Sequence, residues 1–293
     1  MRNNLEYIKN NLKLLNANFL EKESMKKHTT FGIGGPADIF ILPKNNSELS
    51  NILNLMTKTN FNFYFIGSGS NILVHDEGIR GIVISLKKSS KKIIFNNSEV
   101  YADCGVMLGT FVKELNKRNI TGYESLIGVP GTLGGAIIMN AGAYGSEISN
   151  NLISVESIDY RGNIKNYKVK NLNFTYRGSS FSKNELLLNA TFKCKKGNKK
   201  IIHTKKINAS NQRKEKQPLK YRSAGSIFKN PSSEYAAGYL IDKSGLKGLE
   251  IGGAQISTKH ANFIINKNNE ATYKEVIELI EIIKKKVLTM FNI

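Results

Sequence analysis

Phe61-Asn62-Phe63-Tyr64-Phe65-Ile66-Gly67-Ser68-Gly69-Ser70-Asn71 is the stretch on which the fold turns. Phe61 to Ile66 reads as a buried strand, rich in aromatic residues and closed by glycine. The loop Gly67, Ser68, Gly69, Ser70 and Asn71 follows at once. Its two glycines permit left-handed backbone, so successive N–H groups can point into one concavity while the serine hydroxyls add donors. That is a nest suited to a pyrophosphate, although a plain tight turn explains the same residues. What the stretch lacks is a G-x-G-x-x-G run opening a helix. Short strand-like runs follow it at Ile82–Leu86, Lys92–Phe95 and Val100–Cys104 instead of a strict strand–helix alternation. A doubly wound dinucleotide fold is therefore disfavoured, and an α+β architecture is expected.

On the N-terminal side, Leu5, Ile8, Leu12, Leu15 and Phe19 recur at steps of three and four, the apolar stripe of a helix. Leu49, Ile52, Leu53 and Met56 repeat it, with Ser47 as expected N-cap. On the C-terminal side, Leu108, Phe111, Val112 and Leu115 mark another helix. Val155–Tyr160 and Ile164–Val169 form a hairpin around Arg161-Gly162-Asn163, and Leu186–Cys194 is a further strand. Lys195 to Lys200 reads either as a boundary before a C-terminal domain or as a solvated hairpin loop. Thr272 and Glu275 have capping-box spacing, and Val276, Ile280, Ile283 and Val287 line the last helix.

Residues 121–147 stand apart, with few charges, many glycines and no dominant period. Backbone held close to a ligand is the natural use of such a stretch. It contains Gly128, Pro130, Gly131, Thr132, Gly134 and Gly135, then Asn140, Ala141, Gly142 and Tyr144. Two large glycine loops in one region favour a phosphorylated cofactor over two unrelated turns. A third cluster, Thr29 to Asp38 with Gly34 and Gly35, is either a connection or ligand-facing.

The 293 residues suggest two or three domains, or one large one, and 40 % hydrophobic with 23 % charged residues allows a substantial core. Disorder and collagen-like repetition both fit this composition poorly. No apolar run approaches the roughly 18 residues of a membrane span, and Met1 to Asn18 has no signal-peptide pattern. Cys104 and Cys194 make neither a disulfide framework nor a metal cluster. His28, His75, His203 and His260 show no metal spacing, so no metal is expected. A soluble, cytoplasmic protein is expected. The formal charge of +20 first suggests a polyanion, but only seven of the 43 basic residues are arginine. The lysines are dispersed without aromatic platforms, so no nucleic acid partner is expected and an anionic small ligand stays open.

Two polar candidates remain. Arg177 follows Tyr176 among Phe174 and Phe181, where an unpaired guanidinium is costly. It has either an anionic partner in the fold or an anionic ligand. Ser226, before Ile227 and Phe228, has no G-x-S-x-G elbow, which argues against a hydrolase nucleophile.

The set Thr29–Asp38, Gly67–Val74, Gly128–Ile148, Phe174–Phe181 and Ser223–Pro231 resembles the UDP-N-acetylenolpyruvoylglucosamine reductase family. So do Ala237–Ile241, Gly245–Gly248 and Gly252–Ser257, and the likeness runs from about Leu20 onward. The resemblance implies a three-part flavoprotein. A two-part FAD-binding region of the vanillyl-alcohol-oxidase-like type would occupy residues 1–86 and 87–198, and a C-terminal α+β substrate domain residues 199–293. The short 195–200 connection resembles the subgroup without an extra tyrosine-bearing loop.

By the same resemblance, NADPH reduces non-covalently bound FAD. Hydride then passes to the enolpyruvyl methylene carbon of UDP-N-acetylglucosamine enolpyruvate, and a proton goes to the adjacent carbon, giving UDP-N-acetylmuramate for peptidoglycan. Arg177 would stabilise the enolate and Ser226 would donate the proton. Tyr176, Lys216, Asn230 and, as a weaker match, His260 would contact the substrate. The FAD pyrophosphate would meet residues 67–71 and 128–135, and the flavin would lie near residues 140–144, with Thr29, Gly34 and Gly35 also toward the cofactor. A monomer without membrane or nucleic acid partners is expected. The family's catalytic glutamate follows its last helix, and no counterpart appears up to Ile293; Glu278 and Glu281 lie before the matching point. Either the sequence is truncated or another group acts. A chain that truly ends here is expected to bind FAD with impaired turnover. Two alternatives are another FAD-dependent oxidoreductase of the same cofactor-binding region and a catalytically impaired homologue.

Overall fold

The computed structural model describes residues 2–293 apart from 58, 60, 90, 183 and 233, with side chains from residue 5 onward. Contacts divide the chain into two compact units. One comprises Met1–Lys22, Asp38–Ser68 and Arg80–Ser210; the other comprises Glu23–Ala37, Gly69–Ile79 and Asn211–Ile293.

The first unit contains a four-stranded sheet in the order Phe19–Ser24, Pro36–Ile41, Ile79–Ser85, Phe63–Ile66. Helices Arg2–Leu14 and Asn46–Thr57 bury Ile8, Leu12, Leu49, Ile52 and Leu53 against Ile39, Ile41, Ile82 and Ile84. The apolar stripe thus forms the first helix, but Leu15 and Phe19 lie outside it. Asn16 turns left-handed at φ 48, the Ala17 N–H reaches back to Leu12 O, and Phe19 opens a strand. In the second helix, Asn45 takes the role expected of Ser47: its Oδ1 accepts from the Glu48 N–H at 2.9 Å. The strand expected from Phe61 begins at Phe63 and is half-exposed rather than buried. It lies at the sheet edge, parallel to Ile79–Ser85, where only one side has a neighbour.

The same unit carries an antiparallel five-stranded sheet, ordered Ile164–Lys168, Leu152–Asp159, Glu185–Lys193, Glu99–Asp103, Ile93–Asn96. Helix Leu108–Lys117 packs Leu108, Phe111, Val112 and Leu115 into a second core with Val100, Ala102, Tyr123 and Phe192. The expected hairpin turn forms because Asp159 Oδ1 accepts from both the Arg161 and Asn163 N–H groups, with Gly162 at φ 84. Lys195–Lys196 pairs with Ile120–Thr121 as a short strand, and an 18-residue helix, Lys199–Lys216, starts directly after. Residues 195–200 thus comprise a short strand and a helix start joined by Gly197 and Asn198, with mostly exposed side chains, rather than a hairpin loop.

The second unit is built on a three-stranded antiparallel sheet, Glu250–Ile251, Ala254–Ile256 and Ile264–Asn266. Helices Ala237–Lys243 and Tyr273–Phe291 cover it, burying Leu240, Ile241, Val276, Leu279, Ile283 and Val287. The last helix starts on the expected capping box: Thr272 Oγ1 accepts from the Glu275 N–H, and the Glu275 carboxylate accepts from the Thr272 N–H at 2.9 Å.

Candidate active site

Within the first unit, the glycine loops expected to hold a cofactor meet. Thr132 is buried at the N-cap of helix Leu133–Ile138, and a Cβ placed on Gly67 would lie 2.5 Å from its Oγ1. Only glycine permits that approach. The Ser68 hydroxyl beside it is buried and has no hydrogen-bond partner among the described residues. Leaving such a group unsatisfied costs on the order of 1–3 kcal/mol, which a ligand acceptor or donor would offset. The helix start itself differs from an open anion nest. Leu133 and Gly134 donate to the carbonyls of Val106 and Cys104 at 2.7 and 3.0 Å, and Gly135 donates to Thr132 Oγ1 at 3.3 Å. Gly134 instead allows close packing, since a Cβ there would lie 3.0 Å from that of Cys104.

The chain leaves this helix through Asn140, fully buried at φ 41. Its Nδ2 donates to Glu147 Oε2 at 2.7 Å and to Thr175 O at 3.1 Å, while its Oδ1 is buried without a partner among the described residues. Ala141 then leads into the hairpin Gly142–Ala143 with Ser146–Glu147, turned by Tyr144 and Gly145, both at positive φ. A second hairpin, Phe174–Thr175 with Gly178–Ser179, carries Tyr176 and Arg177 at its tip. Arg177 is left-handed at φ 55, a conformation that costs a bulky residue of order 1 kcal/mol or more. Its Nη2 donates to Gly142 O at 2.8 Å, and its guanidinium lies 5.0 Å from the Tyr176 ring centre. Among the described residues no carboxylate forms an ion pair with it. Its one hydrogen bond among the described residues goes to the neutral Gly142 carbonyl, which leaves its charge without a carboxylate there. Glu147, which orients Asn140, escaped sequence reasoning. Its signal was composition: residues 121–147 contain only two acids, Glu124 and Glu147.

The second unit holds Thr29, Gly34, Gly35, Gly69, Ser70, Asn71, Lys216, Ser226, Asn230 and His260. Gly69 sits at φ 70, and a Cβ there would collide with the carbonyl oxygen of His28; its own carbonyl accepts from the Thr30 N–H at 3.0 Å. Thr29 spends its hydroxyl on Ile33 O at 3.0 Å. Gly34 and Gly35 allow close packing on Val74 and Asp76. The third glycine cluster thus has a packing role that its sequence did not reveal.

Ser226 bridges antiparallel to Phe263, and its neighbours are stitched to buried Asn262. Ile227 N donates to Asn262 O, Phe228 N donates to Asn262 Oδ1, and Asn262 Nδ2 donates to Phe228 O, each at 2.9 Å. The Ser226 side chain is exposed and its hydroxyl makes no hydrogen bond among the described residues. Asn230 Oδ1 accepts from Ala237 N at 3.1 Å, at the start of helix Ala237–Lys243. His260 Nδ1 accepts from Asn262 N at 3.2 Å, and burial, with the Lys247 charge adding to it, holds the imidazole below its ordinary value. Lys216 is exposed at the end of its helix with no ion pair among the described residues.

Residues 217–293 match the model of the UDP-N-acetylenolpyruvoylglucosamine reductase C-terminal domain, and residues 37–168 match that of an FAD binding domain. A protein of Clostridium novyi (strain NT) named UDP-N-acetylenolpyruvoylglucosamine reductase is 42 % identical over 270 residues, 92 % of this chain and 87 % of that one. One from Caldanaerobacter subterraneus with the same name is 43 % identical over 272 residues, covering 92 % and 89 %. The chain belongs to the UDP-N-acetylenolpyruvoylglucosamine reductase family. The crystal structure of the reductase from Thermus caldophilus superposes with a TM-score of 0.79 at 33 % identity, covering 92 % of this chain and 94 % of that one. The α+β flavoprotein fold expected from the sequence is therefore the fold of this chain. Its residues fit FAD: Ser68 Oγ and Asn140 Oδ1 are orphaned polar atoms, and Gly67 leaves a cradle that a Cβ would fill.

Proposed function

We infer that this chain is an FAD-dependent oxidoreductase of peptidoglycan precursor synthesis, reducing UDP-N-acetylglucosamine enolpyruvate to UDP-N-acetylmuramate with NADPH. The observation that carries the reading at the residue level is Arg177. Its guanidinium sits on a left-handed hairpin tip, is oriented by Gly142 O, and has no carboxylate to neutralise it among the described residues.

FAD, when bound, supplies the two-electron relay that takes hydride from NADPH and delivers it to the enolpyruvyl methylene carbon. Residues Gly67, Ser68, Gly69, Ser70, Asn71, Gly128, Pro130, Gly131 and Thr132 would hold its pyrophosphate side, with Gly134 and Gly135 shaping the loop, since their N–H groups are spent on Cys104 O and Thr132 Oγ1. Asn140, Ala141, Gly142 and Tyr144 hold the flavin side, with Thr29, Gly34 and Gly35 supporting the loops. Arg177 presents a fixed planar cation to the substrate carboxylate, where negative charge grows as hydride arrives. Ser226 Oγ delivers a proton to the adjacent carbon. A serine hydroxyl is a poor acid, so neighbouring charge must stabilise the alkoxide it leaves. Tyr176, Lys216, Asn230 and His260 position the UDP-sugar.

The three functional parts are residues 1–86, 87–198 and 199–293. One core of the first unit runs from Val100 to Phe192, beyond residue 86 throughout, while the other, from Ile8 to Leu86, also takes in Ile158 and Leu188 of the second part. The enzyme works as a cytoplasmic monomer without nucleic acid or membrane partners. No helix among the described residues is long and apolar enough to cross a membrane.

The test is NADPH oxidation by the yellow, FAD-containing protein with and without UDP-N-acetylglucosamine enolpyruvate. Strict dependence on the sugar is expected. Sugar-independent oxidation would assign a different oxidoreductase, and a colourless preparation would sink the flavoprotein reading.

A further inference from the structure

Arg222 has no place in the roles above, yet the fold holds it with care. Asn266, 2 % exposed, donates its backbone N–H to Arg222 O at 2.8 Å, and its side-chain Nδ2 donates to Phe31 O at 2.9 Å. The next residue, Ser223, accepts through its carbonyl from Thr30 Oγ1 at 2.9 Å. The backbone on either side of the Arg222 side chain is therefore fixed. The side chain lies across Gly32, at φ 70, where any Cβ would collide with the guanidinium. An extended guanidinium has been given room that only glycine leaves.

Arg222 and the neighbouring Lys220 line one cleft of about 280 Å³, together with Thr30, Tyr221 and Ser223. Neither cation has an acidic partner among the described residues. Tyr221 is 50 % exposed there and offers an aromatic face. Two unneutralised cations, a hydroxyl-bearing wall and an aromatic surface match a phosphorylated nucleotide. The planar fork suits a phosphate bidentately, and the ring suits a base.

We propose that the cleft of Lys220, Tyr221 and Arg222 is a phosphate subsite for one of the nucleotides of the reaction, with Arg222 as its principal anchor. The proposal rests on the reductase reading for the identity of those nucleotides. Three sources share the chemistry: the adenosine bisphosphate end of NADPH, the diphosphate of the UDP-sugar, and the diphosphate of FAD.

Calorimetric titration of the holoenzyme with adenosine 2′,5′-bisphosphate and, separately, with UDP would identify the source, alongside the dissociation constant of FAD. Arg222→Gln is exposed and expected to fold, and Lys220→Gln serves as its companion. The expected result is a fivefold or greater loss of affinity for one of the three ligands in Arg222→Gln and a smaller loss in Lys220→Gln. Arg222→Lys should restore it only in part. Affinities for all three ligands within twofold of wild type in both neutral variants would overturn the proposal. Sugar-dependent turnover by the unmodified enzyme, measured separately, tests the reductase reading, so one failure is not mistaken for the other.

Discussion

Ser226 and Arg177 illustrate opposite ways of presenting a reactive group. Ser226 stands on a segment pinned through Asn262, so its own hydroxyl remains uncommitted. Arg177 is itself the strained residue, held at φ 55 by a hairpin too short to relax. Ser226→Ala should leave flavin bleaching by NADPH within about twofold, while sugar reduction falls by roughly 10²–10⁴. Equal losses in the two half-reactions, measured by stopped flow, would remove the proton-donor role. Arg177→Lys should lower sugar reduction by about 10²–10³, because a point charge does not replace a planar fork. Stopped-flow rates near wild type would show that charge alone suffices.

The loops owe their shape to glycines set against particular partners. At Gly69 two demands coincide: a left-handed backbone and contact with the carbonyl of His28. Gly69→Ala should cost at least ~1–3 kcal/mol and release flavin during purification. A variant with wild-type melting and full flavin content would show that the close approach relaxes cheaply. The last helix depends on Thr272 and Glu275, and Asp76 adds a cap from the loop that follows Asn71 by accepting from the Tyr273 N–H at 3.0 Å. Thr272→Ala should cost about 1 kcal/mol in urea unfolding, with flavin affinity unchanged.

For the molecule as a whole, charge and acidity decide behaviour in solution. With a net charge of +20 and phosphorylated ligands, kcat/KM should fall several-fold as salt rises from about 0.05 to 0.3 M, with kcat less affected. A salt-independent kcat/KM would mean that the lysines do not steer substrate. His260, held below 6.5 mainly by burial, binds fewer protons folded than unfolded. Its contribution to stability is therefore complete above pH 6.5 and is lost as pH falls through the folded value. His260→Gln should flatten that acid-side slope in denaturation curves, and an unchanged slope would assign the loss to other groups.

Much of this protein was legible in one dimension. Helix stripes such as Leu108, Phe111, Val112 and Leu115, the capping box at Thr272, and the glycine loops at residues 67–71 and 128–135 are local patterns, and local sterics and hydrogen bonding determine them. The ordered blocks from Thr29 to Ser257 were enough to place the chain in its family. Other features depended on residues distant in sequence. Whether Phe63–Ile66 is buried depends on which strands flank it, and Asn45 displaced Ser47 as cap by a choice of backbone geometry that composition does not encode. The Leu133 and Gly134 N–H groups are spent on carbonyls some thirty residues earlier, so the expected anion nest is smaller than its glycines suggest. Among the described residues no carboxylate pairs with Arg177, and Arg222 lies over Gly32, because of pairings that only folding creates. Periodicity reports what a residue's near neighbours require, whereas satisfaction of a buried donor or charge is settled by groups that sequence distance hides.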